Sequence, residues 1–124
     1  MVMHFHDTTV QQATIDLGAT GLSLGDEFIS SENIYHGSHQ VGTANVACTV
    51  VRLAGANSLT QCVVTAVLPH GQLTIQGANA STRTTWYAIT GGTGAYRDAG
   101  GWVKVVNTSD TGSQVTVYAD NLAG

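Results

Sequence analysis

Glu32 lies in a stretch whose two faces read Phe28, Ser30, Glu32, Ile34 and Ile29, Ser31, Asn33, Tyr35. Alternation leaves the phase undecided, and a mixed face of this kind suits a polar site inside an apolar cavity. A carboxyl buried in that setting has its pKa raised by desolvation, holds its proton near neutral pH, and can donate to a developing oxyanion. Glu32 is the first candidate catalytic group, and Asp16 is the alternative carboxyl. The competing reading sends Glu32 to solvent, where lone carboxylates usually sit.

The other reactive side chains are few. Cys48 is either a small apolar wall residue or a thiol beside the site. Two cysteines are too few for a disulfide scaffold, so Cys48 and Cys62 are expected as free thiols, although one register of neighbouring strands would set them face to face. His4 and His6 share one face of an extended segment, and His36 and His39 bracket a turn. No third ligand accompanies either pair, so no metal site is expected. Arg52, Arg83, Arg97 and Lys104 are the only cations, and one of them inside a cavity would pair with Glu32 or clamp a substrate carboxylate. Trp86, Tyr87 and Trp102 are candidate pocket aromatics, with core or interface positions as the alternative. As sequence neighbours in a strand, Trp86 and Tyr87 must face opposite sides.

The elements that would position these groups are strands. The 124 residues include fifteen Gly and one Pro, and no stretch keeps a helical apolar period over three turns. Segments rich in Val, Thr, Ile and aromatics alternate with turn residues. Strands are predicted near 11–17, 26–36, 41–53, 58–68, 71–79, 83–90, 99–107 and 113–120. The connections His36-Gly37-Ser38-His39, Ala54-Gly55-Ala56-Asn57, Pro69-His70-Gly71 and Thr108–Gly112 each suit a hairpin. Eight strands in up-and-down order, with no helix to cover an edge, predict an all-β, eight-stranded antiparallel barrel in a single domain over 1–124. Such a barrel can enclose one small ligand. On the third strand, Ala44, Val46, Cys48 and Val50 form the apolar phase and are assigned to the enclosed side.

Composition removes several classes of function. Charged residues make up 10% of the chain and no Lys or Arg run occurs, so a nucleic-acid partner is excluded. Residues 1–7 carry no basic n-region ahead of an apolar stretch, and no later segment suits a membrane helix. No signal peptide, no membrane association and a cytoplasmic location are therefore expected. Low charge with exposed apolar strand phases suggests a homo-oligomer, dimer or trimer.

The run Ala88-Ile89-Thr90-Gly91-Gly92-Thr93-Gly94-Ala95-Tyr96, with Ala99-Gly100-Gly101 and Val103-Lys104-Val105 after it, resembles the motif shared by plant allene oxide cyclases and dirigent proteins. Leu24-Gly25-Asp26, Tyr35, Gly37, Gly42-Thr43-Ala44, Cys48, Gly71 and Gln76-Gly77 resemble further cyclase landmarks, and the likeness spans about Leu24 to Val106. It implies that Cys48 takes the place of a lumen Cys, Glu32 of a lumen Asn, and Ser30 of a lumen aromatic. The family's first-strand Glu and Asn lack a clean counterpart, the nearest run being Thr14-Ile15-Asp16. Bacterial barrels of similar type include spirotetronate cyclases, which are Diels-Alderases.

The expected function is a cofactor-free cyclase or isomerase in bacterial natural product biosynthesis. It would fold an apolar polyene, polyketide-like or lipid-like substrate in the lumen and promote cycloaddition or epoxide-opening cyclisation. Glu32 and Asp16 would be catalytic, with Phe28, Ser30, Val46, Cys48, Trp86, Tyr87 and Trp102 binding the substrate. Holding reacting termini near attack distance can supply about 7–11 kcal/mol, so no cofactor is called for. The alternative is a dirigent-like or lipocalin-like barrel that steers stereochemistry without catalytic groups.

Overall fold

The computed structural model describes residues 1–80 and 83–122. Its strands are β1 (Val2–Ile15), β2 (Glu27–His36), β3 (His39–Arg52), β4 (Leu59–Leu68), β5 (Gly71–Asn79), β6 (Thr84–Gly92), β7 (Gly100–Ser109) and β8 (Gly112–Asp120). All neighbours are antiparallel and in sequence order, and β1 pairs with both β2 and β8. The predicted eight-stranded up-and-down barrel is thus closed, which leaves no edge strand unpaired. Among the described residues the only helical pieces are two 3-10 turns, Gly55–Asn57 and Gly94–Tyr96.

Seven strands fall close to their predicted places, and the first does not. A strand was expected near 11–17, yet β1 begins at Val2. Its lumen phase is Met3, Phe5, Asp7 and Thr9, a period of two that His and Asp residues hide from any apolar count. The pairing of β1 with β2 then shifts between Thr9 and Gln11. That bulge resets the phase, so Gln12 and Thr14, opposite Ser30 and Phe28, share the face of Thr9.

Buried side chains gather inside β4 to β8, where Leu73, Ile75, Tyr87, Val103, Val117 and Ala119 pack together. Ala44 and Val50 are buried on β3, as its apolar phase predicted. Cys48 and Cys62 stand opposite each other on β3 and β4 and form a disulfide, which corrects the expectation of free thiols. The register decides this: directly paired residues bring the two β-carbons within bonding reach.

The segment between β1 and β2 is pinned by Asp26, only 3% exposed, whose carboxylate accepts hydrogen bonds from the Leu17 amide at 2.7 Å and the Ser23 amide at 2.9 Å. The backbone of the same residue also accepts from the Val50 amide. Leu24-Gly25-Asp26 therefore acts as a clasp for the end of the barrel. In the Gly-rich turn, Gly91 and Gly94 have positive φ. Gly92 is needed for another reason, because a β-carbon there would strike the Gln72 carbonyl and Tyr96.

Candidate functional site

The barrel lumen holds a cavity of about 220 Å³, and all eight strands contribute to its wall. Most of that wall is aliphatic or aromatic, including Met3, Phe5, Val46, Leu73, Ile75 and Val115. Into it project Asp7 from β1 and Glu32 from β2, with Asn79, Tyr87, Asn107 and Ser113 as the other polar groups. Strand alternation puts them there: Glu32 is paired with Thr9 and Ala44, both on the lumen phase, while Asp7 is paired with Ile34 and Ser113.

Asp7 and Glu32 form one unit. Burial pushes the Glu32 carboxyl up to about 8, and a hydrogen bond to Asp7 and the negative charge of Asp7 push it the same way, whereas the Ser30 hydroxyl opposes them. That hydroxyl donates to Glu32 Oε1 at 3.4 Å. At neutral pH Glu32 is thus a protonated carboxyl that shares its proton with Asp7, a donor and an acceptor side by side in an apolar chamber. Across the lumen, burial raises the Tyr87 phenol; a hydrogen bond with Asn79 works against that rise and the charge of Glu32 adds to it. Tyr87 therefore keeps its proton and is a second O–H group facing the cavity.

The structure brings together only part of the predicted set. Glu32, Val46, Cys48 and Tyr87 line the cavity. Ser30 and Phe28 lie on the same strand face but line a separate hollow with Gln12, Thr14 and Cys48. Asp16 is exposed in the connection after β1 and does not reach the lumen, because the strand has ended and the chain has left the barrel wall. Trp86 and Trp102 face outward, each 53% exposed, on the phase opposite to Tyr87 and Val103. They flank Tyr118, at ring distances of 6.3 and 6.0 Å, and Lys104 Nζ sits 5.5 Å above the Trp86 ring.

Asp7 is the group that the sequence reading missed. It is 7% exposed and was placed outside the predicted strands. The alternation Met3, Phe5, Asp7, Thr9 was the available signal. None of Arg52, Arg83, Arg97 or Lys104 lines the lumen, so no cation pairs with Glu32 there. His6 stacks on Tyr35 outside the barrel at 5.2 Å, and His36 packs edge-on to Phe5 at 6.1 Å. Among the described residues, no three His, Cys, Asp or Glu side chains converge as metal ligands, and no helix is long and apolar enough to cross a membrane.

Comparison with known proteins follows the same lines. In fold the chain is similar to a pyocyanin demethylase, with a TM-score of 0.91 and 26% identity over 97% of this chain and 100% of that one. It is also similar to an exo-specific intermolecular Diels-Alderase, with a TM-score of 0.79 and 13% identity over 96% of each chain. A pterocarpan synthase dirigent protein superposes with a TM-score of 0.76 and 20% identity, over 100% of this chain and 96% of that one. The last two identities speak for the fold alone. A search of curated protein sequences found no match. The family model described as allene oxide cyclase barrel like domain matches residues 6–118, nearly the whole barrel from β1 to β8, and the chain belongs to that family.

Proposed function

We propose that this protein is a cofactor-free isomerase or cyclase that holds a compact apolar substrate in the lumen and uses the Glu32–Asp7 pair for proton transfer. The observation that carries this reading is the pair of carboxyls, Glu32 and Asp7, set against each other inside an otherwise apolar chamber, where burial raises the Glu32 pKa. Glu32 gives its proton to a substrate oxygen as negative charge develops there, and Asp7 takes a proton from carbon or returns one to Glu32. The net reaction is an isomerisation or ring closure with no change of redox state. The Tyr87 hydroxyl offers a further donor to the same oxygen. Exclusion of water by the aliphatic wall strengthens each of these interactions.

Diels-Alderase and dirigent neighbours share this architecture, which supports small-molecule chemistry in the lumen without naming the substrate. A second reading, a barrel that only holds and steers a reactive intermediate, is favoured by the likeness to a dirigent protein. Product analysis on polyene and epoxide panels with Glu32→Gln and Asp7→Asn separates the two. An acid-assisted enzyme loses about 10²–10⁴ in rate, whereas a steering barrel keeps both its rate and its product ratio. The Cys48–Cys62 disulfide supports an oxidising working compartment in place of the expected cytoplasm; thiol labelling of protein taken directly from its native cells tests this. Homo-oligomerisation through the exposed outer wall belongs to the same proposal, and light scattering that returns a monomer would remove it.

A further inference from the structure

The lumen has a charge character that its apolar walls alone do not suggest. Two carboxyls project into it, and among the described residues no Lys or Arg side chain lines it. The titratable groups around the cavity are Asp7 on β1, Glu32 on β2 and Tyr87 on β6, with His36 beside Phe5 at the end of β2. Two aromatic rings, Phe5 and Tyr87, belong to the same wall. Carboxylate oxygens and ring faces with no competing cation are the setting in which organic cations bind well, through charge attraction and cation–π contact. A carboxylate or phosphate ligand would meet the charge of Asp7 with nothing to neutralise it, in a medium that screens poorly. Size adds a second limit. At about 220 Å³ the cavity lies below the roughly 300–1,000 Å³ usual for drug-sized ligands, so the occupant is compact.

We propose that the lumen selects compact lipophilic cations and bases, such as protonated amines or quaternised N-heteroaromatics, and rejects anions such as fatty-acid carboxylates. This rests on the reading of the lumen as the substrate site and narrows the substrate of that site. Near neutral pH Asp7 supplies the counter-charge to the cation while Glu32 keeps the proton it donates; as pH rises through the titration of Glu32 near 8 a second carboxylate joins it, and cation affinity climbs. A neutral ligand of the same shape has the opposite preference or none.

The test uses three bicyclic probes of matched shape: 1-methylquinolinium, 1-methylnaphthalene and 1-naphthoate. Their binding to the intact protein is followed by calorimetry and tryptophan-independent competition from pH 6 to pH 9. The expected order at pH 8 is the cation at least tenfold tighter than the hydrocarbon, and the anion at least tenfold weaker than it. Glu32→Gln removes the rise of cation affinity with pH, and Asp7→Asn removes most of the preference for the cation, while both still bind 1-methylnaphthalene. Equal binding of all three probes, or tightest binding of 1-naphthoate, overturns the charge selectivity and leaves the lumen site standing. No binding of any probe, with folding verified by circular dichroism, overturns the lumen reading and this inference with it.

Discussion

Tyr87 and Trp86 are consecutive residues on β6 with opposite fates. Tyr87 is 7% exposed and shares the lumen with the Asp7–Glu32 pair, whereas Trp86 is 53% exposed and stacks on the outside with Tyr118. The wall between them is a single sheet, so every strand writes two programmes in alternate positions. Inside, polar groups are few and set close to one another, and burial raises the pKa of Glu32 and of Tyr87. Outside, Lys104 and the aromatic rings meet water, where a charge contact contributes little. The contrast shows that residue type alone does not mark a site in this barrel; the phase of the strand does.

The sharpest way to break the contrast is at the pair itself. Glu32→Gln keeps size and polarity but cannot ionise or give up a proton, and turnover of the native substrate is expected to fall by about 10²–10⁴ with the fold intact. An unchanged rate would place the chemistry elsewhere. The wall comes next: Cys48 and Cys62 close a loop with a sequence separation of 14, and replacing both with Ala is expected to lower stability by about 3 kcal/mol in denaturant unfolding. The clasp at the barrel end ranks below it. Asp26→Ala leaves the Leu17 and Ser23 amides without their acceptor, at a cost of about 1–3 kcal/mol.

Two smaller effects sharpen the comparison. Glu32 binds its proton more tightly folded than unfolded, so its contribution favours the folded state at low pH. That contribution is lost as pH rises from the ordinary 4.5 through about 8. Thermal unfolding should therefore show stability declining over that window, and Glu32→Gln should flatten the decline. On the outer face, Trp86→Ser and Trp102→Ser are expected to change monomer stability by no more than about 0.5 kcal/mol and to leave turnover unaltered. A larger loss, dependent on protein concentration, would identify the outer aromatic stack as an interface between copies.

Much of the architecture was legible because it depends on local pattern. Turn residues at short intervals, β-branched segments between them and the absence of helical period fix the number and order of strands, and an uncovered meander of that length closes on itself. The even phase of β3 was readable for the same reason, since Ala44, Val46, Cys48 and Val50 alternate with largely polar residues. Glu32 was legible as a carboxyl embedded in a strand.

Its partner was not. Asp7 becomes a lumen residue only because β1 begins at Val2 and pairs with both β2 and β8, a long-range closure that leaves no local trace. Asp16 looked equivalent by composition and ended exposed, since where a strand stops is decided by the neighbours available to pair with it. The disulfide likewise waited on the register of β3 against β4, and the outward turn of Trp86 and Trp102 on the phase of β6 and β7. The sequence by itself determined the number and order of the strands and the places of seven of them. Tertiary structure decided which carboxyls meet, because pairing register and barrel closure are set by contacts between residues far apart in the chain.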